Sequence, residues 1–158
     1  MLMDIATVTE EQIAATFDNN GFELTVGYSS PSLSVEEAIV AVLIHPEPRL
    51  LEGIPILLKK NPVNYAFLRD MLDQYKVWNR FGYFGEFALT HIDNSDLREI
   101  VDHCSQQPKE RANISSMEGT FFKDFRHDQE RRWNLSGTPS YAALEKQWKR
   151  YCNDREVF

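Results

Sequence analysis

Ser34-Val35-Glu36-Glu37-Ala38-Ile39-Val40-Ala41-Val42-Leu43-Ile44 is the stretch that decides the fold class. Ser34 and Glu37 have the S-x-x-E spacing of a capping box, whose two side chains accept backbone N–H groups that the first helical turn leaves open. Val35, Ala38, Ile39, Val42 and Leu43 then recur at helical spacing. Glu36 and Glu37 fall in the first turn, where the helix dipole favours anions, and Pro46 ends the helix. The run from Ala38 to Ile44 is also the longest apolar stretch in the chain, at seven residues. A membrane-spanning helix needs about 20.

Similar signals lie on both sides. Toward the N-terminus, Thr9-Glu10-Glu11-Gln12 is a second capping box, followed by Ile13, Ala14 and Phe17, and Asn19-Asn20-Gly21 supplies the stop. Phe22 to Tyr28 alternates apolar and polar residues, as a single strand or an extended arm would. Toward the C-terminus, Glu47-Pro48-Arg49-Leu50 opens another helix, with Leu50, Leu51, Ile54, Leu57 and Leu58 on one stripe. Pro55 inside that run predicts a kink or a break. Asn61 with Pro62 is expected to cap a helix bearing Tyr65, Leu68, Met71, Leu72 and Tyr75. Val77 to Leu89 forms a further helix, expected to present Trp78, Phe81, Phe84 or Gly85, and Ala88 on one face. Asn94-Ser95-Asp96 caps the next, with Leu97, Ile100, Val101 and Cys104.

These segments predict a mainly α fold: a compact bundle of about five short helices plus a C-terminal amphipathic helix, with at most one minor strand or hairpin. Residues 1–107 read as a helical core domain. Residues 108–158 read as a linker and C-terminal arm, packed on the core or on a partner. The closing helix, Ser140 to Asn153, carries Tyr141, Leu144, Trp148 and Tyr151, and folding back on the bundle is the expectation.

Charge is unevenly distributed. The net charge is −7, yet residues 1–48 hold eight carboxylates and no Lys or Arg, whereas residues 101–158 hold nine carboxylates and ten cations. The N-terminal third should repel nucleic acid and anionic lipid, and it suits a basic partner surface. Asp4 stands where a signal peptide would carry positive charge, so a cytoplasmic location without membrane association is expected. Cys104 and Cys152 neither require nor exclude a disulfide.

Candidate chemistry is sparse. His45, His91, His103, Cys104, His127 and Cys152 do not fall at the spacing that places two zinc ligands on one turn, so no metal and no cofactor are expected. There is no G-x-S-x-G elbow and no phosphate-binding glycine loop. Gly82 and Gly85, within an aromatic-rich segment, suit close helix packing instead.

Arg98 and His103, separated by four residues, resemble the R-x₄₋₆-H motif of HEPN ribonucleases, small helical proteins. That resemblance implies a metal-independent RNA-cleaving site built from Arg98 and His103 across a dimer cleft. Glu99 stands where the family commonly has Asn, Asp or His after the Arg, and Ser105 occupies the Tyr position of its H-x-Y extension.

A second resemblance covers residues 37–88. Pro48-Arg49-Leu50-Leu51-Glu52, Leu57-Leu58, Asn64-Tyr65-Ala66-Phe67-Leu68 and Arg80-Phe81-Gly82-Tyr83-Phe84-Gly85-Glu86 resemble the helical region of AbiEi-type antitoxins of abortive-infection systems. It implies a toxin–antitoxin or other defence setting with a cognate protein partner, and it supplies no catalytic residues. The family's winged-helix DNA-binding domain is not evident in the acidic N-terminal third.

The expectation is therefore a non-enzymatic protein-interaction subunit, an antitoxin or an accessory subunit of a prokaryotic defence complex. Its expected partner-binding residues are Phe121, Phe122, Phe125, Arg131, Arg132, Trp133 and Trp148. The alternatives are the HEPN-type ribonuclease and a nucleic-acid-binding module using the basic and aromatic residues of positions 123–150, among them Lys123, Arg126, Lys146, Lys149 and Arg150.

Overall fold

The computed structural model describes residues 5–23, 33–114 and 127–153. A 3-10 turn at Ile5–Thr7 leads into α1 (Glu10–Asn19), capped by the Thr9/Gln12 box. The Ser34/Glu37 box opens α2 (Val35–Ile44). The leucine-rich run divides into α3 (Pro48–Leu51) and α4 (Ile54–Lys60), so the sequence-predicted break is present; it falls at residues 52–53, with Pro55 in the first turn of α4. There Gly53 gives Phe22 and Phe17 room to pack: a Cβ at Gly53 would lie 2.6 Å from the Phe22 ring.

The next cap differs from expectation. Asn64, not Asn61, caps α5 (Tyr65–Tyr75), its side chain accepting from Phe67 N at 3.0 Å. The Asn61 amide instead donates backward to the carbonyls of Leu57 and Asn20, closing the end of α4. Buried Glu36 on α2 accepts from Asn64 N at 2.6 Å, which fixes the start of α5 against α2.

Helix α6 (Trp78–Leu89) is the axis of the molecule. The sequence predicted one buried face, but Asn79, Phe81, Gly82, Tyr83, Phe84, Gly85, Phe87 and Ala88 are all buried. A helix covered all round belongs at the centre of a core. Helix α7 (Ser95–Ser105), capped by Asn94, packs beside it, with Val101 2.6 Å from where a Gly85 Cβ would stand.

The C-terminal third completes the same core. A two-residue strand β1 (Ala112–Asn113) pairs in parallel with β2 (Leu135–Ser136), a non-local pairing absent from the sequence-based reading. Between them lies α8 (Asp128–Trp133), and beyond them α9 (Tyr141–Trp148) continues into a π turn at Lys149–Asn153. Ile114, Trp133, Leu135, Leu144, Trp148 and Cys152 all join the hydrophobic cluster formed by α1 to α7. The closing helix therefore folds back. Most of the alternating 22–28 segment lies outside the described residues; within it, Phe22 is buried, 4.9 Å from the Tyr151 ring.

Trp133 explains Gly82. The six-membered part of the indole lies against the bare Cα of Gly82, and any Cβ there would overlap it. Gly82→Ala is expected to destabilise the fold by about 1–3 kcal/mol through overpacking. Urea unfolding followed by circular dichroism measures it, with Gly137→Ala, at an exposed turn, as a control for a backbone-only effect.

Candidate functional site

Among the described residues, polar side chains gather at several places. The first joins α6 to the C-terminal third. One carboxylate oxygen of Glu86, Oε1, accepts from the Arg132 guanidinium at 2.7 Å, the Trp133 indole N–H at 3.1 Å and the Tyr141 hydroxyl at 3.3 Å. One turn earlier on α6, the Tyr83 hydroxyl donates to Pro139 O at 2.6 Å and lies 3.1 Å from His127 Nε2. His127 is the N-cap of α8, and buried Glu130 accepts from both the amide and the hydroxyl of Thr138, at 2.9 and 2.6 Å.

This group contains the residue types of acid–base chemistry, yet each is engaged with another. Burial raises the Tyr83 phenol above its ordinary value, with the Thr138 hydrogen bond opposing and the charges of Glu130 and Glu86 reinforcing the shift. Burial and the Glu86 charge raise Tyr141 likewise. Both phenols are therefore held neutral as donors, the state in which Tyr141 bonds Glu86 and Tyr83 bonds Pro139. The arrangement works as a clamp that fixes α8, β2 and α9 on α6.

The second place is an open groove of about 640 Å³ between the start of α1 and the α2–α3 turn. Val8, Ile13, Ile44 and Leu50 line it with apolar surface, and Glu10, His45 and Glu47 with polar groups. A neighbouring depression adds Glu11 and Arg49. Glu47, between Pro46 and Pro48, shares the lining of the groove with Glu10 of the first turn of α1. Glu10 and Glu11 are exposed, whereas Glu47 also caps α3 through Leu50 N at 3.1 Å.

The sequence-predicted residues are scattered. Trp133 and Trp148, expected to face a partner, are 2% and 3% exposed, because their rings pack on Gly82 and against Phe87 and His91. That also removes both rings as stacking surfaces for the nucleic-acid alternative. Arg131 remains on the surface, and Arg132 is exposed but bonded to Glu86. Phe121, Phe122, Phe125, Lys123 and Arg126 lie outside the described residues.

Arg98 and His103 do not meet within the chain. Five residues apart on α7, they point about 140° apart around the helix. Arg98 pairs with Asp93 at 3.2 Å, and His103 with Asp73 of α5 at 2.8 Å, where Asp73 also accepts from the Trp78 indole. Arg80 donates to Leu43 O at 2.6 Å, while Glu52 accepts from Gln147.

Both cysteines are free and buried. Among the described residues no group of three His, Cys, Asp or Glu side chains is placed to hold a metal ion, and no helix is long and apolar enough to cross a membrane.

Sequence reasoning missed the clamp because its members are spread over residues 83–141. One local signal was readable. Asp128 and Glu130 followed by Arg131 and Arg132 place acid at the start and base at the end of a short helix, and His127 with Glu130 forms its capping box.

Two outcomes are expected. Glu86→Ala leaves three donors without their acceptor and should cost about 2 kcal/mol, with faster amide exchange across residues 128–148. Stability should also fall in alkali. Burial pushes the Cys104 thiol up to about 12 from an ordinary value of 9.0, and Tyr83 and Tyr141 are raised too. Groups raised on folding contribute fully below their unfolded values and lose that contribution as pH rises, so the decline begins near pH 9.0 and continues to about 12. Denaturation curves across that range check it.

Comparison of the chain with protein-family models, with curated proteins and with solved structures gives no match.

Proposed function

We propose that this protein is a non-enzymatic interaction subunit whose acidic N-terminal groove receives a basic segment of a partner protein. The observation that carries this reading is the groove itself. It has an apolar floor of Val8, Ile13, Ile44 and Leu50 beneath the carboxylates of Glu10 and Glu47, with Glu11 adjoining. A floor of this kind removes apolar surface from water, and the rim selects for charge.

The charge asymmetry of the chain supports the same partner chemistry. Residues 1–48 contain no Lys or Arg, so a Lys- or Arg-bearing segment approaching α1 meets little like charge; Arg49 lines the neighbouring depression. The resemblance of residues 37–88 to the helical region of AbiEi-type antitoxins gives the proposal its biological setting, a cognate protein of a defence pair. Buried Trp133 and Trp148 shift the docking role away from the C-terminal helices and toward the groove.

A double variant, Glu10→Lys with Glu11→Lys, tests this directly, because both side chains are exposed and neither is the cap residue of α1. In co-purification from the source cells, wild type should recover one stoichiometric protein. The double variant should keep its helical circular dichroism and bind that protein at least tenfold more weakly, with the difference shrinking in high salt. Equal binding by the two chains would count against the groove. A wild-type chain recovered alone under the same conditions would count against the subunit reading altogether.

A further inference from the structure

A smaller pocket of about 360 Å³ lies on the other side of Ile44, where the end of α2, the α5–α6 junction and the chain entering β1 meet. Its lining includes three cations, Lys76, Arg80 and Arg111, and one carboxylate, Glu110. Tyr75 and Val77 add apolar surface, and Asn79 lines it from the first turn of α6. We propose that this pocket is a phosphate-binding site, with Arg80 at its base and Lys76 and Arg111 at its mouth.

Arg80 makes the case. Its guanidinium is about half-buried, and desolvation by that burial lowers its pKa below the ordinary arginine value. A guanidinium stays charged under those conditions, so the lost hydration calls for a compensating partner. Among the described residues, its hydrogen bond is to one backbone carbonyl, Leu43 O, and it forms no ion pair. Glu110 lines the pocket but is exposed, and burial is the one influence resolved on the Arg80 guanidinium. A planar fork of five N–H donors with one carbonyl attached retains the geometry that grips a phosphate.

The backbone also places Lys76 with care. It ends α5 in the left-handed conformation, φ 56°, which a non-glycine residue adopts at some cost. That turn brings Lys76 to the pocket rim beside Tyr75. Arg111 reaches the same rim from the segment before β1, and that segment is pinned by the buried Asn79 amide, which donates to Glu110 O at 2.8 Å. The volume lies at the low end of the range for small-molecule sites, about 300–1,000 Å³. It suits one phosphate group, free or carried by a small organic molecule, and not a polymer threaded through the fold.

Isothermal titration of the full chain in chloride buffer provides the test, with inorganic phosphate, AMP and adenosine as probes. Saturable one-to-one binding of phosphate or AMP, with none of adenosine, is the expected result. Tighter binding of AMP than of phosphate identifies an organic phosphomonoester lying along Tyr75 and Ile44, and the reverse order identifies the free ion. Arg80→Gln should abolish binding, and since it also removes the bond to Leu43, two surface variants accompany it. Lys76→Asn, which tolerates the left-handed turn, and Arg111→Gln should each weaken binding about tenfold with an unchanged unfolding midpoint. The proposal is overturned if neither phosphate nor AMP binds at millimolar concentration, if adenosine binds as well as AMP, or if the two surface variants bind as wild type does.

Discussion

The structure depends on Trp133 lying against the bare backbone of Gly82 while its indole N–H reaches Glu86 one turn along the same helix. An indole buries a large apolar area, and the absence of a Cβ lets that area approach α6 more closely than any other residue would permit. The shared Glu86 oxygen then recruits Arg132 and Tyr141, so the apolar contact and the polar clamp hold the same elements. Without that contact, α6 would have one covered face and one exposed aromatic face. With it, α6 is enclosed, and the C-terminal third becomes part of a single core.

That enclosure redirects the question of function. Two of the aromatic residues that read as a docking arm in the sequence, Trp133 and Trp148, are interior side chains, the latter stacked on His91 with ring centres 4.6 Å apart. The titratable groups around Tyr83, His127 and Glu130 serve the same closure. Ile44 lines two depressions of different charge: one holds Glu10 and Glu47, with Glu11 in the adjoining hollow, and the other holds Arg80, which forms no ion pair among the described residues. Acidic and basic depressions on either side of one residue give the molecule two surfaces of opposite chemical preference.

Much of the helical order was legible because its signals are local. Thr9 with Gln12, Ser34 with Glu37, and Asn94 ahead of Leu97 each announce a helix start within four residues, and each cap is present. Asn61 misled because an Asn amide can donate as well as accept, and here it closes the preceding helix while Asn64 opens the next. The two-residue strands gave no alternation to detect, and their partners are 23 positions apart. The all-round burial of α6 could not be read from its own periodicity, since it depends on where residues 128–148 choose to pack. The groove and the basic pocket are likewise products of tertiary assembly, and only the lack of cations before Arg49 hinted at the first.

Exchange of the Trp133 indole N–H, followed by nuclear magnetic resonance in deuterated buffer, tests the single-core account most directly. A proton held on Glu86 and sealed against Gly82 should exchange only as the whole molecule unfolds, at the rate of the slowest α6 amides. An indole proton that exchanges freely while those amides stay protected would show a C-terminal third that detaches by itself, and would contradict the account.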